Sequence, residues 1–280
     1  MRPHSLASEG LRTHPSRDLL VLDGDFRGFP QRLGGYVVRA LPGWEALRES
    51  VRTAAPSTIV LVRTGGVEAE TQALRDLIRE TPSVPVVAAV PFARATAAQV
   101  RALLDAGLAE IANADENATF PALTPALHQA HARPLKRRIE ERMPVWVPED
   151  ARTLVRAAAE TVVDGGGREV FAGIFGIYVR TVGARCADAG LPPPRRLVGW
   201  VRVLLALTLL EEAHRTVMNV AVCCGYTDNS SLKRAIENFT ARPGAGSIRE
   251  QTFAAAFDGF TAELVRLRHS GNRSRPGVRA

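Results

Sequence analysis

The chain is poor in cysteine, in lysine and in long apolar runs, and each scarcity excludes something. Cys186, Cys223 and Cys224 are the three cysteines. An odd count without a Cys-x-x-Cys pair excludes a disulfide framework and offers no zinc spacing. Such usage fits a reducing, cytoplasmic setting. Lys136 and Lys233 are the two lysines among 36 basic residues, a bias that genome base composition explains as readily as phosphate chemistry. The longest strongly apolar stretch, Val203 to Leu210, is under half of the roughly 20 residues that cross a bilayer. No apolar signal-peptide core follows the first basic residues, so no membrane partner is expected.

With 46% apolar and 23% charged residues the chain is globular rather than disordered, and 280 residues suggest two domains at about 150 residues each. The charge divides unevenly. Residues 1–150 carry 18 basic and 18 acidic side chains, whereas 151–280 carry 18 and 11, so the whole net charge of +7 lies in the C-terminal half. That half is built for a polyanion. Residues 1–16 and 269–280, rich in Ser, Pro, Arg and Gly without periodicity, read as disordered tails.

Across 17–130, short apolar runs alternate with amphipathic segments. The runs are Leu19 to Leu22, Tyr36 to Val38, Thr58 to Val62, Val84 to Val90 and Ala109 to Ile111. Gly43 to Ala54, Val67 to Glu80 and Thr96 to Ala106 carry apolar residues three and four apart, the signature of a helix face. Strands with interposed helices predict a parallel sheet covered on both sides. In order and length this region resembles a response-regulator receiver, which implies a flavodoxin-like α/β fold.

A receiver needs a carboxylate nucleophile, acidic Mg²⁺ ligands, a hydroxyl and a lysine. Here Asp23 and Asp25 follow the first strand, but Arg63 stands where the phosphoacceptor belongs, Val90 at the hydroxyl position and about Asn113 at the lysine position. A guanidinium accepts no phosphoryl group, and two carboxylates alone make a poor octahedral site for Mg²⁺. The expectation is a receiver-shaped domain without receiver chemistry, acting in regulation or dimerisation. Gly24, Gly28, Gly34 and Gly35 form no phosphate-cradling Gly-x-Gly-x-x-Gly, and His128 and His131, three apart, lack a third metal ligand. No catalytic residue, cofactor or metal is expected. The rival readings are a phosphorylation-dependent response regulator with an atypical acceptor, a small-molecule sensor, and an enzyme using Asp23 or Asp25.

Pro121 to Arg142 reads as one helix with a charged, exposed end in which Arg137 and Glu141 pair four apart. Met143-Pro144 through Pro148 breaks it. Residues 131–148 are thus a connector helix and linker, and the neutral first half and the charged helix to Arg142 are the places to look for a homodimer contact.

Residues 149–268 read as all helix. Thr216 caps a short helix whose inner face is Val217, Val220 and Ala221, Gly225 ends it in the left-handed conformation, and Asp228 caps the next, buried through Leu232, Ile236 and Phe239. This is a helix-turn-helix pattern, in which the second helix enters the major groove of DNA. Its opposite face carries Asn229, Ser230, Lys233 and Arg234, with Ser231 beside them: Asn suits adenine, Lys and Arg suit guanine, and Ser suits bases or phosphate. The pattern repeats. Ala172 and Gly176 precede Ala221 and Gly225 by 49 residues, and the next apolar anchor is Val182 in one copy and Leu232 in the other. Pro194 to Glu212 reads as one linking helix of roughly 28 Å, close to the roughly 34 Å between successive turns of one DNA face. Trp200 reads as core of that helix, at least one of Cys223 and Cys224 as buried packing, and Arg195 and Arg196 as candidate phosphate contacts.

Together these features resemble the double helix-turn-helix domain of AraC/XylS-type transcription regulators. The resemblance implies that base-reading positions fall on Asn229, Ser230, Ser231, Lys233 and Arg234. In the first unit they fall near Arg180 and Thr181. Gly183 and Ala184 stand there in place of longer polar side chains, which leaves Arg180 and Arg185 mostly for phosphate. The family's closing Gly and Pro are displaced to Ala241-Arg242-Pro243-Gly244. The expected fold is therefore α/β plus all-α. The expected partners are double-stranded DNA, RNA polymerase as the family implies, and a second copy of the chain, with the protein at the nucleoid.

Overall fold

The apolar runs of the first half form strands because they carry apolar residues at both parities, so both faces of the inner strands of a parallel sheet are buried. In the computed structural model, which describes residues 17–22, 30–64, 68–114, 120–240 and 247–273, the strands are β1 (Arg17–Leu22), β2 (Arg32–Leu33), β3 (Tyr36–Leu41), β4 (Ile59–Arg63), β5 (Val86–Val90) and β6 (Glu110–Asn113). They make one sheet in the order β2-β3-β1-β4-β5-β6, parallel except for the antiparallel pairing of β2 with β3.

The side chains divide by parity. Leu20, Leu22, Val60, Val62, Val86 and Ala88 face helices α1 (Trp44–Arg52), α2 (Glu68–Glu80) and α3 (Ala97–Asp105), which bury Leu47, Val51, Leu74, Leu77 and Leu103 against them. Leu19, Val21, Ile59, Leu61, Val87 and Ala89 face the opposite side, where Leu123 and the helix α4 (Thr124–Ala130) cover them. The hairpin from β2 to β3 turns on Gly34 and Gly35, both at positive φ, the geometry of a two-residue hairpin loop.

The segment expected as one helix over Pro121 to Arg142 is divided. A 3-10 turn, Phe120–Leu123, leads into α4; the chain then breaks at His131 and Ala132 and restarts as α5 (Arg133–Arg142). Pro134 gives the reason. Its ring cannot follow a continuing turn and its nitrogen cannot donate, so it is accommodated only in the first turn of a new helix. Ala132 pays for the break with a left-handed φ of 56°. Nor is α5 an exposed connector: Leu135 and Ile139 are buried, and with Ala132, Met143 and Val147 they join the core of the helical half. Arg137 and Glu141 do pair, at 2.7 Å, on its outer side.

The second half is helical throughout its described residues: α6 (Glu149–Val163), α7 (Arg168–Ile174), α8 (Val179–Asp188), α9 (Pro194–Leu210), α10 (Val217–Cys223), α11 (Asn229–Thr240) and α12 (Phe253–Arg273). α9 is its axis. Leu197, Trp200, Val201, Leu204, Leu205 and Leu209 are all buried, as are its intervening Val203, Ala206 and Leu207, so from Val203 to Leu210 this helix is surrounded on every side. α6, α12 and both short pairs, α7 with α8 and α10 with α11, pack on it. Trp200 is core, with its indole donating to Glu263 Oε2 at 2.8 Å and its ring edge-to-face with Phe239. α12 runs five residues into the stretch expected as a tail from 269, with Phe253, Phe257, Phe260 and Leu264 buried along its inner face. No single helix among the described residues is long and apolar enough to cross a membrane.

Candidate nucleic-acid interface

Both short pairs are built on the same turn. In the second, the Tyr226 amide donates to Ala221 O at 2.8 Å and the Gly225 amide to Val222 O at 3.0 Å; in the first, Ile177 donates to Ala172 O at 3.3 Å and Gly176 to Gly173 O at 3.1 Å. These are the two bonds of a Schellman cap, and they demand a left-handed residue between them. Gly176 and Gly225 supply it at φ 62° and 76°. The buried Ala172 and Ala221 hold the same place beneath each turn, and Val182 and Leu232 anchor the helices that follow. Across the first turn the axes of α7 and α8 bend by 79°.

Caps distinguish the two copies. Thr216 accepts the Asn219 amide at the start of α10. At the start of α11, Asp228 Oδ1 accepts the Ser231 amide at 2.7 Å while Ser231 Oγ accepts the Asp228 amide at 3.1 Å, a reciprocal cap. The bond from Ser231 holds the Asp228 carboxyl below its usual range. α8 starts instead at Tyr178, whose side chain caps nothing and is 87% exposed.

The side chains selected from the sequence are distributed accordingly. Asn229, Ser230, Lys233 and Arg234 are exposed on the outer face of α11, with Lys233 Nζ 3.9 Å from Glu237. Ser231 is half-buried, and its hydroxyl is committed to Asp228, whose carbonyl it also reaches at 2.8 Å. In the first pair Arg180, Thr181 and Arg185 are exposed, but Arg185 borders a cavity of about 520 Å³ between α6 and α8 shared with Asp150 and Asp188. Arg195 is exposed at the start of α9. Arg196 is not a free cation: Glu263 holds it at 2.5 and 2.7 Å, and it lies over the Phe239 ring at 5.2 Å. Burial pushes the Glu263 carboxyl up, but the bonds from Arg196 and Trp200 prevail and hold it below the usual carboxylate range.

No protein-family model matches the chain, and none of the curated proteins or solved structures matches it.

Tyr178 is the residue that sequence reasoning passed over. An aromatic at a helix start, where Ser, Thr, Asp or Asn would cap, is the signal that marks it. The cysteines are packing groups: Cys186 and Cys224 are buried, Cys223 half-buried, and burial raises all three thiols, Cys186 to about 11.

In the first half, Arg63, Val90 and Asn113 end adjacent strands at the carboxyl edge of the sheet, with Arg63 beside Ala89 and Val90 beside Asn113. Asp23 and Asp25 lie outside the described residues, as do Gly24, Gly28 and the displaced Ala241-Arg242-Pro243-Gly244. His128 and His131 are not brought together: His128 Nε2 lies 3.4 Å from Gly34 O, whereas His131 is buried with Nε2 3.2 Å from Asp164 Oδ1.

Proposed function

We propose that the protein is a sequence-specific DNA-binding transcription regulator whose two glycine-turned helix pairs are helix-turn-helix units. One observation carries this reading. The same Schellman turn, with the same buried alanine, recurs after 49 residues, once before and once after the central helix α9 in the chain, and each time the helix that follows presents a polar outer face. The 79° bend between α7 and α8 is near the roughly 90 to 120° of helix-turn-helix pairs. The 17 residues of α9 that link the pairs are about 25 Å long, a length comparable with the spacing of successive major grooves once tilt is added. The charge surplus of this half supplies the phosphate affinity.

On this reading Asn229, Ser230, Lys233 and Arg234 read bases, while Ser231 shapes the helix start. Arg180, Thr181 and the exposed Tyr178 serve the first groove, and Arg185 serves phosphate. The α/β half is a flavodoxin-like pseudo-receiver: numbered by chain order, its five parallel strands run 2-1-3-4-5, the flavodoxin order. It departs from the pattern in its first crossover, which carries the β2 hairpin, and in Arg63, which leaves no acceptor on the central strand. It acts in regulation or dimerisation without phosphorylation. RNA polymerase and a second copy of the chain are the protein partners proposed with it.

Selection of bound duplexes from random DNA by the full-length protein, at two salt concentrations, tests the assignment. A two-part motif about one helical turn apart is expected, with log K falling against log salt at a slope of about −5 for about six phosphates. Salt-sensitive recovery of random sequence, or a slope near zero, would refute it.

A further inference from the structure

The two halves meet at the amino edge of the parallel sheet, and they meet through polar groups that range from exposed to wholly buried. On the α/β side these are Arg17, which opens β1, Ala54 in the loop before β4, Ser83 just before β5, and Glu110, which opens β6. Arg17 donates to Asp164 from Nε at 2.9 Å and from Nη2 at 2.5 Å, with His131 on the same carboxylate. The Ser83 amide donates to Glu212 Oε1 at 2.9 Å, and Arg215 Nη1 donates to Ala54 O at 3.0 Å. Arg133 reaches Glu110 at 2.7 Å.

Asp164 and the Glu212–Arg215 pair occupy matching places in the repeat. Asp164 caps the end of α6, four residues before α7 begins, and Arg215 stands next to Thr216, the cap of α10. Each helix pair is therefore gripped at its root. The second grip is completely enclosed: the side chains of Glu212 and Arg215 are both 0% exposed, they pair at 2.6 Å, and Arg215 Nη1 also reaches Asn219 Oδ1 on α10 at 3.2 Å. Arg249 closes it from behind by donating to the carbonyls of Leu210 and Arg215.

We propose that Arg215, with Glu212, is the positioning residue that couples the α/β half to the second helix pair and sets its placement relative to the first. Apolar packing around α9 is non-directional, whereas a buried guanidinium has a planar fork whose donors fix angle as well as distance. Arg215 joins the loop before β4, the linking segment and α10 in one such fork. A change in the sheet that moved Ala54 or Ser83 would move α10 with it. The use of that placement rests on the DNA-binding reading; the coupling does not.

The test uses the full chain carrying Glu212→Gln and Arg215→Met together, which keeps an acceptor for Ser83 and leaves no unpaired buried charge. By hydrogen exchange, amides of α10 are expected to exchange at least tenfold faster, with those of α7 unchanged. On a two-part duplex selected by the wild type, inserting one base pair between the parts is expected to weaken wild-type binding about tenfold and the variant less than threefold. Arg215→Lys, which retains charge and gives up the fork, is expected to speed α10 exchange several-fold and serves if the double variant does not fold. Unchanged α10 exchange, or equal acceleration in α7, overturns the proposal, as does a variant that keeps the full spacing penalty. Should the wild type select no two-part site, the DNA reading falls, and the exchange comparison decides the coupling by itself.

Discussion

The ring of Phe239 on α11 fills the space that a side chain at Gly199 on α9 would need. A Cβ built there collides with the ring tip and lies 3.2 and 3.3 Å from two further ring carbons. The ring has little freedom to withdraw, since Trp200 packs edge-to-face against it with centroids 5.0 Å apart and Arg196 lies over it. This close approach seats α11 on the central axis.

Gly199→Ala is accordingly expected to destabilise the helical half by about 1 to 3 kcal/mol, the usual cost of overpacking a filled core. Thermal melts check it; an unchanged melting temperature would mean that α11 shifts freely and that its position on α9 is loosely set.

Gly225 makes a different demand. Nothing lies within 4 Å of a Cβ placed there, so the cost of a side chain is that of the backbone, held at φ 76°. Gly225→Ala is expected to cost about 1 to 2 kcal/mol and Gly225→Asn less, because asparagine tolerates the left-handed region. Equal losses from both in denaturant melts would argue against a Schellman turn. Gly176, also open and at φ 62°, is expected to behave alike.

On α11, Arg234→Ala is expected to lose about 1 to 3 kcal/mol of discrimination at one base position and to leave the melting temperature alone. Ser231→Ala should do the reverse, because its hydroxyl serves Asp228. Competition binding against single-position duplex variants separates the two; uniform weakening across sequences would make Arg234 a phosphate contact.

The joint at Asp164 carries a pH signature. Burial pushes its carboxyl up, but the bonds from His131 and Arg17 outweigh burial and hold it below the ordinary 3.8. A depressed carboxylate stabilises the fold above its unfolded value and loses that stabilisation as pH falls through the lower folded value. Melting temperature is thus expected to decline below pH of about 4, with Asp164→Asn flattening that decline while lowering stability at neutral pH. Identical acid limbs would show that the joint contributes nothing to the fold.

Much of this architecture was legible in residue order. The apolar runs at Leu19 to Leu22 and Val84 to Val90 are short enough for single strands buried on both faces, whereas Val203 to Leu210 lies inside a 17-residue helix, and the Gly-Gly between Leu33 and Tyr36 is a hairpin signal. The break at His131 and Ala132 was harder. A left-handed alanine is locally unfavourable, and what holds it in place is tertiary: His131 seats on Asp164 while Leu135 and Ile139 dock into the helical core.

For the candidate site, the sequence by itself determined the turns, the caps and the polar face of α11, because glycine conformation, capping and helical periodicity act within a few residues. Only the tertiary structure decided which cations are engaged. Arg196 and Arg234 read alike as exposed arginines, yet Glu263, 67 residues along the chain, takes the first. Arg215, flanked by polar residues, gave no sign of being wholly buried, since its partner carbonyl at Ala54 is 161 residues away. Such pairings follow from how the sheet and the helices dock, and docking is a property of whole faces in contact that no short stretch of sequence carries.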